Sequence, residues 1–112
     1  MDFTKVKETL FSALMDKNHW IRIQAVKSLR PFIQKEEVVN TLIGVFRHDK
    51  HQWVKVRAIE NLGFAKNNKK VIRLLANELK AKTNEEICFH AVQALKRIDS
   101  RDANFVLRQY WY

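Results

Sequence analysis

The sequence predicts an all-α chain in which three αα-hairpins stack into a solenoid and a half repeat closes the end. Three observations predict it. A ten-residue pattern recurs at a spacing of 33: Trp20–Leu29, Trp53–Leu62 and Glu86–Leu95, and a fixed period in this range is the mark of a stacked repeat. Its columns agree residue by residue. Ile21, Val54 and Ile87 align, as do Ile23, Val56 and Phe89, then Ala25, Ala58 and Ala91. Val26, Ile59 and Val92 follow, and Leu29, Leu62 and Leu95 close each copy. Between the copies lie apolar residues at helical spacing. Finally, two glycines and one proline among 112 residues point away from hairpin-rich β structure and towards helices joined by short polar turns.

Each element follows from its own pattern. Val6, Leu10, Phe11 and Leu14 are spaced i, i+4, i+5 and i+8 along one helix face. Val38, Leu42, Ile43 and Phe46 repeat that spacing, as do Val71, Leu75, Ala76 and Leu79. These are the A helices, and the decapeptides open the B helices. Asp16 or Asn18, Asp49, and Thr83 or Asn84 are the expected N-caps of the B helices, with Thr4, Asn68 and Ser100 for the A helices. Pro31 lacks an amide donor, so the first B helix should end near Arg30. Gly63 stands at the matching place in the second. Ala103, Val106, Leu107 and Tyr110 then start one more A-type helix, placed to cover the open end of the stack. The expected division is one domain, 1–112, with repeats at about 3–34, 35–67 and 68–99 and a capping helix at 100–112.

Composition narrows the function classes. Apolar residues make up 46% of the chain, enough for a folded core, and 21 basic residues against 12 acidic give +9. That balance favours acidic protein surfaces or nucleic acid as partners. A single cysteine suits a reducing compartment, and the start MDFTKVKETL has neither a signal-peptide pattern nor a membrane span. A cytoplasmic protein is expected, with no membrane partner.

The order of A helix, Asp-containing turn and apolar–basic–x–x–Ala–x–x–x–Leu resembles the HEAT and HEAT-like repeat family. Asp16, Ile21, Arg22, Ala25 and Leu29 carry the likeness in one repeat. Asp49, Val54, Lys55, Ala58 and Leu62, with Gly63 after them, carry it in the next. The resemblance covers nearly the whole chain and implies a right-handed α-solenoid used as a binding surface. It also implies an inter-repeat ladder in which Arg22 and Lys55 donate and Asp16 and Asp49 accept. Cys88 stands at the basic site of the third repeat, so any ladder should end there. The family reaches from adaptors to some enzymes, and at 112 residues the chain is shorter than those enzymes usually are.

A helical wheel at about 100° per residue separates the faces of the B helices. Ile21, Ala25, Val26, Leu29 and Phe32 form an apolar arc that includes Arg22. Opposite lie Trp20, Gln24, Lys27 and Pro31, then Trp53, Arg57, Glu60 and Phe64, then Glu86, His90, Gln93 and Arg97. By the family likeness this side is concave. Trp20, Gln24, Lys27, Arg30, Trp53, Arg57, Glu60, His90 and Arg97 are therefore the candidate partner-binding residues. Either tryptophan could instead staple its loop to the preceding A helix. Lys66, Lys69, Lys70, Arg73, Lys80 and Lys82, against Glu78 alone, form a basic run that is either a solvated face or a phosphate-binding surface.

Nothing suggests catalysis, a cofactor or a metal. His48, His51 and His19 lie in turns, without the cysteine or glutamate that would complete a recognised ligand spacing. Cys88 falls in the apolar arc and is expected to be a small core residue. The sequence therefore predicts a protein-binding adaptor or scaffold, with sequence-tolerant nucleic-acid binding as the alternative.

Overall fold

The computed structural model describes residues 2–111 and contains seven α-helices. They are α1 (Phe3–Ala13), α2 (His19–Ser28), α3 (Glu36–His48), α4 (Gln52–Leu62), α5 (Lys69–Ala81), α6 (Glu85–Ile98) and α7 (Arg101–Tyr110), with a 3₁₀ turn at Arg30–Phe32. The odd-numbered helices are the A layer and the even-numbered ones the B layer. In the B layer α2 packs directly on α4 and α4 on α6, whereas α1 makes little contact with α3, and α3 little with α5. The molecule is an α-solenoid. α7 covers α5 and α6 at the C-terminal end.

The core is the set of columns the repeat pattern defines. Val26, Leu29, Ile59, Leu62, Val92 and Leu95 are all fully buried or nearly so, and the alanine column Ala25, Ala58 and Ala91 lies beneath them. Small residues there let neighbouring B helices approach closely. At Gly63 the approach is close enough that an added Cβ would meet Ala94 Cβ at 2.9 Å and its Cα at 3.0 Å. Gly63 is therefore required by packing, its backbone being ordinary right-handed helix. Gly63→Ala should cost roughly 1–3 kcal/mol through overpacking, read as a lower urea midpoint. An unchanged midpoint would show that α4 and α6 can separate freely.

The caps correct several expectations. Asn18, not Asp16, caps α2, and His51, not Asp49, caps α4 through Nδ1. The reason is the same in both turns: the Asp carboxylate accepts the backbone N–H two residues on, Asn18 at 2.8 Å and His51 at 2.9 Å, and so shapes the turn leading to the cap. Asp2 caps α1 in place of Thr4, accepting the Thr4 N–H at 3.0 Å. Asn68, Asn84 and Ser100 cap α5, α6 and α7. The helix α2 ends at Ser28, and Pro31 is the second residue of the 3₁₀ turn that follows.

Two expected core positions are on the surface. Ile21 is 42% exposed, while its column mates Val54 and Ile87 are 0% and 4%. Phe89 is 55% exposed against 5% for Ile23 and 0% for Val56. Both belong to terminal repeats, where the neighbour that would cover the column is missing.

Candidate partner-binding face

The turns that carry the tryptophans are tied together before they present anything. Arg22 on α2 donates from Nε to Asp49 Oδ2 at 2.8 Å and from Nη2 to Oδ1 at 3.1 Å. Its Nη1 donates to the backbone carbonyls of Asp16 at 2.8 Å and Lys17 at 3.2 Å. One guanidinium thus holds its own turn and the next. Charge-assisted forked bonds of this kind fix geometry as well as adding energy. Asp16 therefore serves the ladder through its carbonyl, and its carboxylate is not an acceptor for Arg22.

Lys55 is a second correction. It lies over the Phe46 ring at 5.8 Å and makes no ladder bond. The residue 33 positions after Asp49 is Lys82, so an ammonium would face an ammonium. The aromatic ring offers it a better neighbour.

Above the ladder the rings form a row. His19 stacks on His51 with centroids 3.9 Å apart and planes 9° from parallel, and Trp20 tilts against His19 at 4.8 Å. Trp20 is 61% and Trp53 45% exposed. Both indoles thus present ring area to solvent. Arg57 sits 5.7 Å over the Trp53 ring and is ion-paired with Glu60, so its charge is partly spent within the helix. Gln24 and Lys27 are exposed, Lys27 towards a groove between α1 and α2. His90 is half-buried, edge-on to Phe89.

The stacked histidines imply a pH response. The His19 imidazole is held below its ordinary value of 6.5, first by partial desolvation in the stack, then by the positive charges of His51 and Arg22, with Asp49 opposing. Protonation is thus favoured in the unfolded chain. Stability should be full above about pH 6.5 and fall as the pH drops below it. His51→Asn keeps an acceptor for the cap and removes the facing imidazole. Its melting temperature should fall less between about pH 7 and about pH 5 than that of the wild type; an equal fall would show that the pair contributes nothing.

At the other end of the B helices a second cluster spans three repeats. Arg30 and Arg97 both pack on the Phe64 ring, at 4.3 and 4.4 Å from its centroid. Arg30 Nε donates to Asn61 Oδ1 at 3.0 Å. The Asn61 amide, 1% exposed, donates in turn to the Val26 carbonyl. Among the described residues neither guanidinium has a carboxylate partner. Sequence reasoning placed these arginines on the B face but missed Asn61, the buried polar residue that positions Arg30. Its only signal was an asparagine where the third repeat has Ala94.

The basic run does not join this face. Lys69, Lys70, Arg73 and Lys80 lie on α5 in the A layer, Lys82 follows its C-terminus, and Lys66 precedes it. Lys70 donates to Glu36 Oε1 at 3.0 Å and Asn40 Oδ1 at 3.1 Å. Lys70 and Arg73 share a shallow groove with Arg47 and His48 of α3. Cys88 is half-buried, with its thiol 3.3 Å from the Glu78 carbonyl. Among the described residues no group of three His, Cys, Asp or Glu side chains could hold a metal ion, and no helix is long and apolar enough to cross a membrane.

A family model of HEAT repeats matches residues 1–63. No curated protein and no solved structure matches the chain. The matched segment holds α1 to α4 and with them the Arg22–Asp49 bond between successive repeats. The remaining hairpin repeats the same columns at the same spacing. The chain belongs to the HEAT repeat family, whose members commonly serve as protein-interaction modules.

Proposed function

We propose that this chain is a non-enzymatic protein-binding module whose B-helix layer holds an acidic segment of a partner. The observation that carries the reading is the presence of two exposed indoles and of two guanidiniums stacked on one phenyl ring, all on the B helices or the turns that follow them. Trp and Arg dominate binding energy at protein interfaces because they bring large area and directed donors at modest entropic cost. The Arg30 guanidinium is pre-ordered by Phe64 and Asn61, so less freedom is lost when it meets a carboxylate. The indoles lie at the N-terminal ends of the B helices and the Arg–Phe–Arg cluster at their C-terminal ends. Ten helical residues separate these by roughly 15 Å, which an extended segment of about five residues spans. A net charge of +9 would speed the approach of an acidic chain.

A peptide array graded from acidic to basic, probed with the labelled chain, tests this. Acidic peptides containing an apolar anchor should be retained. The Trp20→Ala/Trp53→Ala double variant should lose about 30-fold or more in affinity, the equivalent of one strong hot spot, with unchanged helical circular dichroism. Retention that ignores peptide charge, or survives the double variant, would overturn the reading.

A second reading, sequence-tolerant nucleic-acid binding, draws on the groove where Arg47, Lys70 and Arg73 meet. It predicts binding of labelled mixed-sequence DNA and RNA that weakens steeply with salt and is lost on changing Lys69, Lys70 and Arg73 to Glu. The first reading is preferred because Lys70 is already paired with Glu36 and the remaining cations are dispersed over the A layer.

A further inference from the structure

Among the described residues four ion pairs neutralise cations elsewhere on the molecule: Lys7–Glu37, Arg22–Asp49, Arg57–Glu60 and Lys70–Glu36. The two guanidiniums at Phe64 are held differently. Arg30 and Arg97 stand 4.3 and 4.4 Å from the centroid of one ring, so their central carbons are no further apart than the sum of those distances, 8.7 Å. Two like charges are gathered at one place, and the carboxylates nearest to these residues in the chain are engaged elsewhere. Glu36 pairs with Lys70, Glu60 pairs with Arg57, and Asp99 accepts from the Asn104 amide at 3.0 Å.

The cluster is also fixed before anything binds. Asn61, 1% exposed, accepts from Arg30 Nε at 3.0 Å while donating to the Val26 carbonyl. The turn that carries Phe64 is tied to the preceding repeat by Gln34. Its side-chain amide donates to the Phe64 carbonyl at 2.8 Å, and its oxygen accepts the Lys66 N–H at 3.2 Å. Among the described residues Nη1 and Nη2 of Arg30 and every guanidinium N–H of Arg97 are left without an acceptor.

We propose, on the reading that the B layer holds an acidic segment, that the Arg30–Phe64–Arg97 cluster receives a phosphorylated serine of that segment. A phosphoserine carries about −1.5 to −2 charge at neutral pH and so matches two guanidiniums, whereas one carboxylate would leave half of their charge uncompensated. Its oxygens point in three directions and accept charge-assisted bonds at about 2.8 Å. One phosphoryl group therefore meets both forks, and a planar carboxylate suits one at a time. Helix C-termini by themselves repel an anion. At the ends of α2 and α6 the two guanidiniums thus carry the binding, and neither is dispensable. The distance of roughly 15 Å from the indoles sets the register, with about five residues of extended chain between the apolar anchor and the phosphoserine.

Fluorescence anisotropy with an acidic peptide retained on the array tests the assignment. Serine, glutamate or phosphoserine is placed about five residues from the apolar anchor, on one side of it or the other. The phosphoserine form should bind about tenfold more tightly than the glutamate form in one of the two directions. Arg97→Lys, at an exposed position, keeps the charge and loses the fork. With unchanged helical circular dichroism, it should weaken the phosphoserine form far more than the glutamate form and so remove the preference. Equal binding of the two forms in both directions overturns the phosphoserine assignment and leaves the acidic-segment reading standing. A preference that survives Arg97→Lys also overturns it, placing the phosphate elsewhere, as in the groove of Arg47, Lys70 and Arg73. Displacement of the phosphoserine peptide by mixed-sequence RNA at equal phosphate concentration would make the site one for phosphodiesters and overturn it as well. If no form binds, or if binding is unaltered in the Trp20→Ala/Trp53→Ala variant, the acidic-segment reading falls, and the phosphoserine assignment with it.

Discussion

Asp49→Ala should lower the stability of the chain by about 3 kcal/mol, a figure typical of removing one partner of a buried ion pair. The side chains of Arg22 and Asp49 are 16% and 8% exposed, so little solvent is present to compensate the charge left behind. The loss should stay near the low end of the usual range, because Arg22 retains the Asp16 carbonyl as an acceptor. The same substitution removes the acceptor for the His51 N–H, so the turn that positions Trp53 loosens as well. Urea unfolding followed by circular dichroism measures the first effect. The Arg22→Met/Asp49→Ala double variant should lose less than the two single losses together, because no unpaired guanidinium remains. Strict additivity would mean that the rung couples nothing between the repeats.

Asn61→Leu should cost about 2–3 kcal/mol, the penalty for leaving buried polar groups without partners. Leucine keeps the branched four-atom skeleton of asparagine, though it is bulkier, and leaves the Val26 carbonyl without its donor and Arg30 without its acceptor. Stability and binding should change together, since Arg30 then packs on Phe64 without its anchor. A variant that unfolds at a lower urea midpoint, yet binds acidic peptides as tightly as the wild type when folded, would show that Asn61 has a purely structural role. An unchanged midpoint would show that water replaces both bonds.

The repeat architecture was legible because it is local and periodic. A 33-residue spacing brings the same apolar residue to the same place in successive hairpins, and Val26, Ile59 and Val92 could only be core once that period was recognised. Proline and glycine placement marked where the first and second B helices stop. Caps were less legible, because several residues near each turn can accept the same amide hydrogens. At Asp16 and Asp49 the carboxylate was drawn into the turn itself and passed the cap to Asn18 and His51. Lys55 shows the limit of family likeness: the residue type matched the ladder, but its partner position holds Lys82, and an ion pair depends on both ends.

Sequence alone determined the α-solenoid, its three hairpins and closing helix and the buried columns, since each follows from spacing along one chain. Tertiary structure alone decided which members of those columns are covered. Ile21 and Phe89 read as core from their pattern and are exposed because burial is completed by a neighbouring repeat, which the terminal repeats lack. It also decided that Arg30, Phe64 and Arg97 meet. They come from three different repeats, and only the packing of successive B helices on one another brings their side chains within reach.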